Sequence, residues 1–279
     1  LVMHVCNVCI SYVLIFGKFG APAMGANGAA IGTAAAAYIG MIYYFFQGLR
    51  HARDAGFLRG LPSRETLVSM LRLSIPSGLQ SLFFAAGLTT MLTIVDRIGT
   101  SETAAVNVLI NVTMVAFLPG LGLGLAAATL VGQALGRKNI DDAEAWAWDV
   151  IKVGIVIMMI LGLPMAIAPD MILSAFFEKG DEALELASLP LRLAGITIWT
   201  EAILMVLLNS MMGAGATKIG LMVNVGMQWG LFLPAAYLIG PVMGYGLIGV
   251  WTARIIYRAA QSGILMILWK RRVWANVEV

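Results

Sequence analysis

Charge is what this sequence has least of. Only 12% of its 279 residues are Asp, Glu, Lys or Arg, against about 25% in soluble domains. Hydrophobic residues make up 60% and mean hydropathy is +0.88, so the chain is an integral membrane protein. Its net charge of +3 is not gathered into a basic cluster, and nothing points to nucleic acid. Histidine is scarce too: His4 and His51 lie far apart, and H-E-x-x-H, P-loop and G-x-S-x-G patterns are absent, which argues against an enzyme. The two cysteines, Cys6 and Cys9, form C-x-x-C inside an apolar run. A redox pair wants a strand-to-helix setting, so they read as small apolar residues of a membrane helix. No cleavable signal sequence is visible. The first residue, Leu1, already lies in an apolar run, and the expectation is a fragment whose beginning lies upstream.

What the chain has in abundance is long apolar runs. They fall near 1–17, 28–47, 67–95, 104–135, 145–168, 186–213, 219–240 and 246–269, and a helical span takes about 17–25 residues. Backbone groups in hydrocarbon must be satisfied within the segment, so these are helices; they lack the alternation of barrel strands. The expected fold class is all-α, a polytopic membrane protein with eight transmembrane helices in this chain. Basic residues in short loops set orientation. One set of alternate loops holds Arg50, Arg53, Arg59, Arg64, Arg137, Lys138, Lys218, Lys270, Arg271 and Arg272; the other holds Lys18, Arg97 and Lys179. The first set, with the C-terminus, is expected in the cytoplasm.

The only long polar connection on that side, 48–66, has the composition of a linker between lobes. A repeat supports that division. Asn7 precedes the G-x-x-G of Gly25 and Gly28 by 18 residues, and Gln228 precedes that of Gly246 and Gly249 by 18. Taken as one repeat, the 221-residue offset makes 1–47 the last two helices of one lobe. It makes 67–270 a complete six-helix lobe and 271–279 a tail, with four helices missing upstream. Transporters are often built from such repeats, with the ligand between them.

Glu201 is the one acid deep in an apolar run. A carboxylate there costs roughly 2.5–3.5 kcal/mol even on the lenient insertion scale. Packing against an arginine is one account. The other, usual for intramembrane acids, is a cavity and an ion or proton pathway. Thr197, four residues and one helical turn earlier, shares its face. Gln80, Asn107, Asn111, Asn209, Asn224 and Gln228 are further intramembrane polar groups, candidates for interhelical hydrogen bonds or for a cavity lining. Arg254 and Arg258 repeat at i, i+4, and Arg258 lies too deep to reach the surface comfortably; a cavity, a paired acid or a lipid headgroup would accommodate it. Pro119, Gly120 and Gly122 in "PGLGLGL" mark either a hinge or close packing.

The runs "LRLSIPSGLQSLFF", "FLPGLGLGLAAATLVGQALGRKNIDDA", "EAILMVLLNSMMGAGATK" and "GLIGVW" resemble the second lobe of multidrug and toxic compound extrusion (MATE) transporters. "NVCISYVLIFGKFGAPAMGANGAAIGT" resembles the family's fifth and sixth helices. The resemblance implies a twelve-helix, two-lobed antiporter in a bacterial-type inner membrane, exporting amphipathic or cationic compounds against H⁺ or Na⁺ without any other cofactor. Its partners would be those small molecules, membrane lipid and the missing helices. The family's tenth helix carries an acid a dozen residues before a G-A-G turn, and Glu201 stands 12 before Gly213, with Glu in place of the more usual Asp. An acid some members carry on the seventh helix has no counterpart before Asp96. One placed on the first helix would lie upstream of Leu1. A lipid-linked glycan flippase of related architecture and a non-transporting membrane fragment are the competing expectations.

Overall fold

The computed structural model describes residues 2–53, 56–58, 60, 63–178 and 180–276. Among them every regular element is helical. Five helices are long and apolar enough to cross a membrane, and a sixth crossing arises if one bent pair counts as a single span. The chain divides into two compact units, Leu1–Leu67 and Val68–Val279.

In the first unit α1 (Val2–Phe16) lies along α2 (Gly25–His51). The buried positions of α2 are Gly28, Gly32, Ala36 and Gly40, one small residue per turn. A Cβ on Gly28 would sit 2.6 Å from the Leu14 carbonyl oxygen, so the stripe allows the two backbones to touch, as small residues do where lipid removes the hydrophobic drive for association. Asn7 Nδ2 donates to Thr33 Oγ1 at 3.1 Å across the same contact.

The second unit contains the greater part of α3 (Arg64–Asp96), followed by α4 (Thr100–Gly136), α5 (Ile140–Ile167) and the short α6 (Pro169–Leu173). After these come α7 (Glu182–Thr197), α8 (Trp199–Gly213), α9 (Thr217–Val242) and α10 (Gly246–Lys270). Helix α4 runs unbroken through Pro119 and its glycines. It packs against α8 at Gly124, where an added Cβ would lie 2.6 Å from Asn209 Nδ2.

Two expectations need correction. The run 186–213 is not one helix: α7 and α8 meet at a 57° bend around Ile198. Nor is 219–240 regular, because α9 widens into π turns at Gln228–Phe232 and Leu238–Val242. Pro234 and Pro241 stand beside or within those turns, and the donor each lacks interrupts the ladder. The eight apolar runs are all helical. However, α1 is a short apolar helix of 15 residues, and α10 carries two arginines along its length.

The core of the second unit has two clusters. Val95, Val106, Leu109, Leu191 and Trp251 belong to one; Leu204, Leu207, Met211, Leu265 and Trp269 belong to the other. Helix α8 crosses the seam, with Ala202 in the first cluster and Ile203 in the second. Beyond α10 the chain turns through Val273–Asn276. Trp274 stacks on Trp269 at 4.3 Å and donates its Nε1 hydrogen to the Trp269 carbonyl at 3.0 Å. Arg272 grips the start of α5 through Asp141 (2.6 Å) and Glu144 (2.7 Å), and these carboxylates raise its pKa further.

Candidate functional site

The bend at Ile198 changes the meaning of Glu201. In a continuous helix it would sit mid-span; here it lies in the first turn of α8. Free N–H groups and the helix dipole favour negative charge at that end. Side chains hold the break open. Thr200 Oγ1 donates to the Thr197 carbonyl at 2.8 Å. Ser262 Oγ of α10 donates to the Thr200 carbonyl at 3.0 Å. The main-chain N–H of Glu201 tightens onto the Ile198 carbonyl at 3.0 Å. Thr197 ends α7 and Glu201 lies in the first turn of α8, so the two do not share a helix face, though both line one cavity.

Arg258 answers the acid. Its Nε lies 2.9 Å from Glu201 Oε1, with side chains 9% and 27% exposed. The Nε hydrogen is not aimed well enough at the oxygen to make a hydrogen bond, so the contact is held mainly by charge. Arg258 Nη1 also reaches Gln261 Oε1 at 3.4 Å, and Gln261 Nε2 donates to Asn224 Oδ1 at 2.8 Å. A polar chain therefore runs Glu201–Arg258–Gln261–Asn224 across α8, α10 and α9. Such a pair adds little net stability, because desolvating two ions costs about what their attraction returns.

Beside the pair is a cavity of about 210 Å³. Its polar lining is Thr113, Thr197, Thr200, Glu201, Arg254 and Arg258; its apolar side includes Phe84 and Leu88 of α3, Phe117 of α4, Met158 of α5 and Trp251 of α10. The volume is below the roughly 300–1,000 Å³ of a complete ligand pocket. It fits one end of an amphipathic molecule, or water and an ion.

Of the residues singled out from sequence, Glu201, Thr197, Arg254, Arg258 and Gly120 reach this cavity. Gln80, Asn107, Asn111, Asn209, Asn224, Gln228, Pro119 and Gly122 lie outside its wall. Asn107 and Asn111 are exposed and donate to their own helix, to Thr103 O at 2.8 Å and Asn107 O at 2.9 Å. Asn209 does the same to Met205 O at 2.8 Å. Gln228 is buried against Gly87 of α3, and half-buried Gln80 faces Gly220 of α9. Asn224 touches the site only through Gln261. Sequence reasoning did not single out Gln261 or Thr200. The signal for Gln261 was its position three residues after Arg258; for Thr200 nothing short of the bend would have shown it.

Apolar helices long enough to span a bilayer, with a charged pair at a helix break and a half-apolar cavity beside it, define a multi-pass membrane protein. The chain belongs to the MatE family, whose sequence pattern matches residues 76–238. It is 25% identical over 278 residues to the probable multidrug resistance protein NorM of Thermotoga maritima, covering 95% of this chain and 58% of that protein. It is also 25% identical to the multidrug resistance protein MdtK of Yersinia pseudotuberculosis, covering 94% and 59%. Among solved structures, a MATE protein in the straight conformation superposes with a TM-score of 0.86 at 19% identity, over 98% of this chain and 61% of that one. A transporter from Pyrococcus furiosus, whose described binding pocket has reversed polarity, gives 0.86 at 19%, over 100% and 62%. The chain thus spans about three-fifths of the length of the relatives it matches.

Proposed function

We propose that the protein of which this chain is part performs secondary active efflux of amphipathic or cationic compounds, coupled to H⁺ or Na⁺, with Glu201 as the ion-binding group. The observation that carries the reading is the placement of a solitary acid at a helix break, paired with Arg258 and open to a cavity. Relatives named multidrug resistance proteins support it. An incoming proton or Na⁺ competes with Arg258 for the same carboxylate oxygens. The paired arrangement is therefore the ion-free form, and ion binding releases the arginine. An ion that binds one arrangement better than the other shifts the balance between them. Each charge carried across the membrane is worth about 2.3 kcal/mol per 100 mV.

The test is efflux of a fluorescent amphipathic dye from cells making the full-length protein with Glu201→Gln. Transport should be lost while abundance in the membrane is retained; normal transport at normal abundance would remove Glu201 from the mechanism. A second reading, movement of a lipid-linked glycan carrier, draws on Arg254 and Arg258 in the cavity wall. Binding of an anionic lipid carrier without dye efflux would favour it.

A further inference from the structure

The three ionised groups of the cavity do not balance. Arg254 and Arg258 stand against one carboxylate, Glu201, whose oxygen is engaged by Arg258 at 2.9 Å. Among the described residues, Arg254 has no carboxylate within ion-pair distance and no side-chain hydrogen bond; its guanidinium rests on the Trp251 ring at 4.6 Å. It borders the same space as Phe84, Leu88, Phe117 and Met158. A planar fork of donors facing an apolar chamber is the complement of an anionic head on an apolar body. A cation in that space would meet two fixed positive charges and one negative.

We infer that this cavity takes the anionic head of an amphiphile, a carboxylate, sulfonate or phosphate, at Arg254, with the apolar body lying toward the Phe84–Phe117 side. The inference rests on the efflux reading for its purpose and names the substrate class of that same site. It departs from the cationic compounds that the sequence resemblance implied. The volume, about 210 Å³, holds the head and the first part of the body. Arg258 cannot take the role while it neutralises Glu201. Arg254 is thus the selectivity residue.

The test uses the full chain in nanodiscs of zwitterionic lipid and three probes of equal length: a brominated fatty carboxylate, its methyl ester and a quaternary ammonium. Bromine quenches tryptophan on contact, and subtracting the signal of Trp251→Phe isolates Trp251 from the other tryptophans. The carboxylate should quench Trp251 at a concentration roughly tenfold or more below those of the ester and the ammonium. Arg254→Gln should erase that ranking and Arg254→Lys should keep it. Equal or stronger quenching by the ammonium, or a ranking unchanged in Arg254→Gln, overturns the inference. If Arg254→Gln does not fold, the ranking on the unaltered chain decides alone. With the ranking in hand, displacement by phosphatidylglycerol in the discs assigns the head to a membrane lipid, and its failure assigns it to a dissolved amphiphile. Failure of the efflux reading would appear separately, as dye efflux that survives Glu201→Gln while the probe ranking stands.

Discussion

Replacing Arg258 by Met removes one member of a buried pair and leaves Glu201 without its ion-pair partner. At 2.9 Å, two unit charges attract by about 6 kcal/mol in a medium of effective dielectric near 20, a gross figure that desolvation largely offsets. What the substitution exposes is the offset. Breaking a buried pair from one side costs about 3–5 kcal/mol. Because the Glu201 side chain keeps 27% exposure and the α8 N-terminus supports its charge, about 2–3 kcal/mol is expected. For a unit of this size that corresponds to a midpoint lowered by about 4–12 °C. Removing both charges in Glu201→Leu with Arg258→Met should restore most of it, since an apolar pair of similar volume is near neutral. The measurement is the thermal midpoint of the purified chain in one detergent, for the wild type, both single variants and the double variant. A double variant as unstable as Arg258→Met alone, or a single variant as stable as the wild type, would refute the reasoning.

Ser262→Ala removes the donor to the Thr200 carbonyl and should cost about 1 kcal/mol, read as a lower thermal midpoint. Gly213→Val would drive a side chain into the Ala128 backbone of α4; a loss of at least about 1–3 kcal/mol is expected, visible as reduced monodisperse yield. Gly28→Leu should separate α1 from α2 in the same way, so a cysteine crosslink placed across that contact should form less readily.

The helices were legible because lipid demands long apolar runs, and all eight such runs are helical, one of them as two helices. The break at Ile198 was not. Between Leu191 and Met212 there is no proline, and the bend is held by Thr200 and by Ser262 from a helix about sixty residues away. The π turns had a local signal in Pro234 and Pro241, yet a proline is no sure guide: α4 passes through Pro119 without interruption. Two arginines at i, i+4 announced a polar face on α10, and a paired acid was one of the accounts open for Arg258. Choosing Glu201 as that partner required the long-range crossing of α8 and α10. The amides showed the opposite difficulty. An Asn bonded back to its own helix and an Asn facing water read alike in a sequence.

The turn after α10 carries a mechanical implication. Trp274 lies flat on Trp269 while Arg272 clasps two acids at the head of α5, so the arginine-bearing helix is tethered at one end. If the charge pair opens during a cycle, the acid's side of the joint has the freer path, swinging on the kink at Ile198 while the guanidinium groups stay near their posts. Arginine bookends with a moving carboxylate would make α10 the stator of this half.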